Sequence, residues 1–307
     1  MIQLFNIPNY TIDTSKFSHY LHGSNVTDFE QRFAEYVGAK YAVSVNSATN
    51  AIFLMFLNKN LTVNVPSMIP PVVLNALITS GNKINFVDNV NWIGGSYTLH
   101  EFEDFKIIDS AQRVDLKQFE IEANENDLMF FSFYPTKPVG SSDGGIIVSN
   151  DKEKIDYLRM LSFNGMSFAE NNWDRKICMP GYKFYMNSIQ AYIANENLSK
   201  LEHKKQQLSK IRNIYNEELG YNNTSDHLYR INVKDRIKFI EHMKSANIVC
   251  GIHYEAQHLN SVYTNAVKFT CLKSESESLT TVSIPFHESL TNNELINIIK
   301  NINYATM

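Results

Sequence analysis

The sequence predicts an α/β protein, with a large domain built on a mostly parallel sheet and a smaller C-terminal α+β domain. Three observations lead there. Runs of strand length that are apolar throughout, at 106–109, 128–134 and 145–149, alternate with helical patterns over the first two thirds of the chain. Such runs are what strands buried on both faces of a parallel sheet require. A long helical pattern over 187–219 then ends the alternation, and the segments beyond it are grouped differently. The length of 307 residues suits one large domain or two moderate ones, at roughly 150 residues each. The division is placed at 1–205 and 206–307.

The elements follow in order. Thr27-Asp28-Phe29-Glu30 reads as a capping box opening a helix with Phe29, Phe33 and Val37 on one face, and Gly38 is its stop. A strand over 41–45 runs into the polar turn Asn46-Ser47-Ala48-Thr49, followed by a buried helix over 51–58. A strand at 63–66, a helix at 72–79 and a strand at 84–88 come next, then the three apolar runs and a helix at 151–162. Ile189, Ile193, Leu201, Leu208 and Tyr215 mark the apolar positions of the long helix. Beyond it, 227–233, 249–254 and 281–286 read as strands, and 236–245 and 291–302 as helices. The second of these helices opens with the capping box Thr291-Asn292-Asn293-Glu294.

Composition narrows the function classes. With 28 basic against 32 acidic residues the net charge is −4, so no global basic field draws the chain to nucleic acid or an anionic membrane. Apolar residues at 44% and charged residues at 20% are those of a globular chain. Cys178, Cys250 and Cys271 are too widely spaced to form a ligand cluster, and three cannot all pair, which points to a reduced, cytoplasmic setting. No signal-peptide pattern and no apolar run of membrane length is expected.

Ligands of open α/β sheets sit beyond the carboxyl ends of the strands. Three strand ends carry polar groups there: the turn 46–49, the pair Asp109 and Gln112, and Ser132 with Lys137. Ser47-Ala48-Thr49 at a helix start is either an anion site or a cap for its own helix. Asp109 ends an apolar strand, so its carboxylate needs a cation, a hydrogen-bond donor or the next turn to cap. Lys137 is either a solvated lysine or, in a desolvated pocket, an amine able to form a Schiff base. A phosphate cradle, an aspartate for a pyridinium nitrogen and a lysine for an aldehyde, in that order, are the parts of a pyridoxal phosphate site.

These residues resemble the DegT/DnrJ/EryC1/StrS sugar aminotransferases, a branch of the fold-type I pyridoxal phosphate enzymes. The opening block from Phe29-Glu30 to Gly38-Ala39-Lys40 is similar, and Asn46-Ser47-Ala48-Thr49 resembles the family's Asn-Ser-Gly-Thr phosphate turn. Further similar blocks are Val65-Pro66-Ser67, Phe86-Val87-Asp88, Ile108-Asp109-Ser110-Ala111-Gln112 and the lysine block Ser132 to Lys137 with Gly144-Gly145. Gly181-Tyr182, Gln190-Ala191, His253-Tyr254 and 284–287 complete the order, over most of the chain.

The resemblance implies roles for these positions. Lys137 would carry the cofactor and move protons at the substrate carbon, and Asp109 would pair with the pyridinium nitrogen. Gln112 would sit beside the ring and its phenolic oxygen, while Ala48, Thr49 and Ser132 would hold the phosphate. The implied reaction passes an amino group from an amino acid, usually glutamate, to a keto group on a nucleotide-linked sugar for amino-sugar or surface-polysaccharide biosynthesis. A homodimer with shared active sites is implied as well.

The departures are specific. Ala48 replaces a glycine, and Pro70 stands where an aromatic residue stacks on the ring. Lys183 replaces an asparagine that reaches the phosphate of the neighbouring subunit, and is either a point charge doing that task or a solvated helix-end residue; Tyr185 replaces an arginine. The interval 89–105 is too short for the family's additional strand and helix, so a loop around Trp92-Ile93-Gly94-Gly95 is expected there. The rival reading is a catalytically degenerate homologue that binds a nucleotide sugar or a partner subunit without transamination. A dehydratase of the same branch has histidine in place of the lysine, and Lys137 is present. His19-x-x-His22 and His253-x-x-x-x-His258 lack the cysteine or carboxylate framework of a metal site.

Overall fold

The computed structural model describes residues 1–7, 9–17, 19–167, 175–263 and 270–306. Along the chain come α1 (Ser24–Val37), β1 (Tyr41–Val45), α2 (Ala48–Phe56), β2 (Thr62–Pro66), α3 (Pro71–Thr79) and β3 (Lys83–Val87). Then follow β4 (Tyr97–Glu101), β5 (Lys106–Asp109), α4 (Gln118–Glu122), β6 (Leu128–Ser132), β7 (Gly145–Ser149) and α5 (Lys152–Ser162). The long α6 (Ser188–Leu219) leads to β8 (Tyr229–Asn232), α7 (Arg236–Ser245), α8 (Leu272–Thr280), β9 (Thr281–Ile284) and α9 (Asn292–Thr306).

Five strands form one sheet in the order β1-β7-β6-β5-β4, and β2 pairs with β3 in a parallel ribbon beside β4. The α/β class holds. Strands β1, β5 and β6 run the same way, while β7 returns between β6 and β1 and β4 folds back on β5. The contacts β1–β7, β7–β6 and β5–β4 are therefore antiparallel, and β5–β6 is parallel. An apolar run covered on both faces looks the same in either direction, so the sequence did not distinguish them.

Both faces of the sheet are covered. Phe130 and Ile147 pack with Ile52, Leu74 and Leu158 from α2, α3 and α5. Their strand neighbours Met129, Phe131, Ile146 and Val148 point the other way and pack with Phe29, Phe33 and Val37 of α1 and Ala191, Ala194 and Leu198 of α6. A third core joins Leu208, Ile211 and Tyr215 of α6 to β8, β9, α7 and α9, with Ile2 added from the N-terminus. The helix α6 thus changes cores between Leu201 and Leu208.

Several local expectations are corrected. The Thr27–Glu30 capping box does not form: α1 begins at Ser24 after Gly23, which caps without a side chain, and Thr27 Oγ1 donates to Ser24 O. Glu30 is instead buried. It accepts from the Ser44 N–H and hydroxyl, both at 2.7 Å, and pairs with Arg159 at 2.8 Å. Burial with three partners outcompetes an exposed cap. The predicted stop does hold, with Gly38 at φ 80°. The box at Thr291 also forms, with Thr291 N–H on Glu294 at 2.9 Å and the return bond at 3.3 Å.

Residues 249–254 are not a strand; only Gly251 bridges to Ser283, after which His253 and Tyr254 turn into the cavity described below. The interval 89–105 is not all loop. Its second half is β4, which turns at Phe102–Phe105 to pair antiparallel with β5, a hairpin needing far less chain than a parallel crossover. Helix α6 begins with a capping box at Asn187 and Gln190. Among the described residues, no helix is long and apolar enough to cross a membrane.

Candidate active site

Because β1, β5 and β6 run the same way, Asn46-Ser47, Asp109 and Ser132 leave the sheet at one edge. A cavity of about 430 Å³ opens there, lined by Ala48, Thr49, Asp109, Gln112, Ser132 and Lys137 together. Six of the predicted site residues, spread over 90 positions of sequence, thus converge on one space.

The N-terminus of α2 supplies the first part. Ser47 caps its own helix by accepting from Asn50 N–H at 3.2 Å, so its hydroxyl oxygen is already engaged. The next two amides, of Ala48 and Thr49, make no hydrogen bond among the described residues, as the first turn of a helix requires. They form the positive end of the helix and line the cavity. Gly145 packs directly behind them: a Cβ there would lie 2.6 Å from Ala48 N, so only glycine lets the turn sit this deep.

The second part is a buried carboxyl. Asp109 is 4% exposed and accepts from Ala111 N–H at 2.9 Å and from the Tyr97 hydroxyl at 3.1 Å. Burial pushes its pKa up to about 6, against the Ala111 N–H, the Lys137 charge and Tyr97. Beside it, Gln112 accepts from Gly94 N–H at 2.7 Å and donates to the Tyr254 hydroxyl at 2.9 Å. It thereby ties the loop before β4 to the C-terminal third of the chain.

Lys137 is the third part. It follows the turn closed by its own N–H on Tyr134 O at 2.8 Å. Its Nζ makes no hydrogen bond and no ion pair among the described residues. Burial lowers its pKa to about 8, with Asp109 pulling it partly back. A lysine near 8 holds a substantial neutral fraction close to physiological pH, as a nucleophile or general base needs. Ser132 completes the set, accepting weakly from Tyr134 N–H at 3.4 Å.

Lys183 is placed differently. It is exposed on a bridge to Phe163 and does not line its own chain's cavity. Pro70 does line the cavity, and so does Trp92, whose ring lies parallel to Tyr254 at 6.0 Å. Trp92 Nε1 is buried without a partner among the described residues. The sequence reading missed Phe5, Tyr97, Asp143 and His227, which surround the predicted groups. Nothing local marks Phe5 or His227, since more than 200 residues separate them along the chain. His253, held by Ser283 Oγ at 2.8 Å, is pushed down to about 4 by burial, then by Lys137 and Arg230. Among the described residues no group of three His, Cys, Asp or Glu is placed to hold a metal ion.

Fold and site together define an α/β protein that brings two unengaged helix amides, a buried acid and an amine to one sheet edge. The profile of the DegT/DnrJ/EryC1/StrS aminotransferase family matches residues 7–91 and 122–303, and the chain belongs to that family, one of pyridoxal phosphate-dependent sugar aminotransferases. The unmatched interval 92–121 contains the β4 hairpin and also Asp109 and Gln112, which the fold still brings to the cavity.

The chain is 24% identical to the UDP-4-amino-4,6-dideoxy-N-acetyl-beta-L-altrosamine transaminase of Campylobacter jejuni, over 87% of this chain and 86% of that one. It is 29% identical to the spore coat polysaccharide biosynthesis protein SpsC of Bacillus subtilis, over 63% and 61%. The crystal structure of the sugar aminotransferase CalS13 from Micromonospora echinospora shares the fold. Its TM-score is 0.80 at 18% identity, covering 99% of this chain and 100% of that one.

Proposed function

We propose that this protein transfers an amino group from an amino acid, with glutamate as the expected donor, to a nucleotide-linked keto sugar. The donor's amino group and the sugar's oxo oxygen exchange places, so the donor leaves as its keto acid and the sugar leaves as an amine. The observation that carries the proposal is the convergence of the Ala48 and Thr49 amides, buried Asp109 and unpaired Lys137 on one cavity.

These groups fit pyridoxal 5′-phosphate. Two unengaged amides, with Gly145 packed behind them, suit a phosphate, which Ser132 would also contact. When bound, the cofactor supplies an electron sink for the carbon that carries the amine. Asp109, mostly ionised above about 6, would hold a proton at the pyridine nitrogen. Gln112 would lie beside the ring, held in place by Gly94 and Tyr254. Lys137 would bind the cofactor, then take a proton from the reacting carbon and return it. Lys183, exposed and outside its own cavity, would serve the site of the second chain in a homodimer.

The relatives named for a UDP-sugar transaminase and for spore coat polysaccharide support a nucleotide-sugar substrate and a place in surface-polysaccharide synthesis. A cytoplasmic location is part of the same reading. So is a division into domains 1–205 and 206–307, supported by the change of core along α6.

Purified protein given the cofactor is expected to turn yellow, with a band that borohydride bleaches and that is lost in Lys137→Ala. L-glutamate should shift the band. A protein that stays colourless refutes the proposal, and a band that no amino donor shifts supports the degenerate, binding-only homologue instead.

A further inference from the structure

One cavity residue, His227, is given no task in the reading above. His227 is 5% exposed and lines the cavity, beside Phe5 and Thr136. Its position is fixed. The backbone N–H is held by Ser225 Oγ at 3.0 Å, and the ring lies on Phe5 at 5.6 Å and 19°. Yet neither ring nitrogen makes a hydrogen bond among the described residues.

The ring nitrogens are not sealed from the cavity, so a polar group placed there can engage them. Burial, then the charges of Lys137, His253 and Lys204, keep His227 well below its usual pKa and therefore neutral at pH 7. A neutral imidazole offers one donor and one acceptor. That pair suits hydroxyl and oxo oxygens, whereas a carboxylate needs donors or a cation. Phe5, which also lines the cavity, adds apolar surface beside the imidazole for the C–H groups of a pyranose.

We infer that His227 binds an oxygen of the sugar presented to Lys137, and so helps set the specificity of the sugar half of the reaction. This rests on the sugar-aminotransferase reading above. In this role His227 contacts the sugar substrate and leaves the amino donor and the cofactor phosphate alone.

The test uses holoenzyme and follows the two half-reactions separately by cofactor absorbance. The probes are L-glutamate and UDP-, dTDP- and GDP-linked 4-keto-6-deoxyhexoses. His227→Phe is expected to raise KM for the reactive keto sugar about tenfold, the worth of one hydrogen bond, with kcat changed much less. KM for L-glutamate should move less than about twofold on the same scale. His227→Asn, which keeps a donor and an acceptor, should recover part of the loss. Should the Phe variant fail to fold, the same split is read in His227→Asn and His227→Gln.

An unchanged KM for the sugar, or equal losses in both half-reactions, overturns the inference alone. A wild type that reacts with glutamate but with none of the three sugars overturns the sugar reading, and the inference falls with it.

Discussion

Replacing Lys137 by methionine in cofactor-free protein should stabilise the fold while abolishing the site. Burial lowers the lysine from 10.5 to about 8, with Asp109 opposing. At 1.36 kcal/mol for each tenfold change in proton affinity, the buried ammonium costs about 3 kcal/mol at neutral pH. The folded pKa lies below the unfolded one, so the folded chain binds this proton less tightly. The cost is complete below about 8, shrinks as pH rises towards 10.5, and is gone above 10.5, where both states are uncharged. Methionine keeps the unbranched stem without the charge. Asp109 then loses an attractive neighbour, and its carboxyl, already raised to about 6 by burial, rises further, which offsets part of the gain. A net gain of about 2 kcal/mol, or about 4 °C in Tm for a chain of this size, is expected at pH 7. Thermal melts of apo wild type and variant at pH 7, 8.5 and 10 measure it, and the gap should narrow at each step. A variant that melts no higher than wild type at pH 7, or a gap indifferent to pH, would show that the ammonium is not desolvated.

Three further outcomes are open to measurement. Gly145→Ala puts a Cβ 2.6 Å from Ala48 N and 2.8 Å from its Cα, both backbone atoms that cannot swing aside. It should weaken pyridoxal phosphate binding at least tenfold by absorbance titration and cost about 1–3 kcal/mol of stability; unchanged affinity would argue against the cradle. Glu30→Ala removes the ion pair of Arg159, which keeps Ala42 O, and the acceptor of the Ser44 N–H, and should lower urea stability by roughly 3 kcal/mol, with no loss pointing to solvent replacing the carboxylate. Thr291→Ala removes the cap of α9 and should cost about 1 kcal/mol in the same assay, with little effect on cofactor binding.

Much of the site could be read before any fold was known. Ala48, Thr49, Asp109, Gln112, Ser132 and Lys137 stand at or just beyond the ends of β1, β5 and β6, and those ends meet. The polar residues closing apolar strands were the signal, because a buried strand that ends in Asp or Ser needs a reason to do so. A local pattern misleads where the same residues have two uses. Thr27–Glu30 matches a capping box, but Glu30 faces β1 and Arg159 and is taken by them. Residues 249–254 have strand-like composition, but His253 and Tyr254 are needed at the cavity and the pairing stops at Gly251.

The sequence by itself determined the order and approximate limits of most elements, the three strand ends that meet at the candidate site, and the family. Periodicity is a local property, and residue type at a strand end survives without coordinates. Only the tertiary structure decided that β7 lies between β1 and β6, that β4 returns as a hairpin, and that Phe5 and His227 meet beside Lys137. It also decided that Lys137 and Asp109 titrate near neutrality. Strand partners, distant contacts and the loss of water around a charge depend on how remote segments pack, and no window of sequence contains that information.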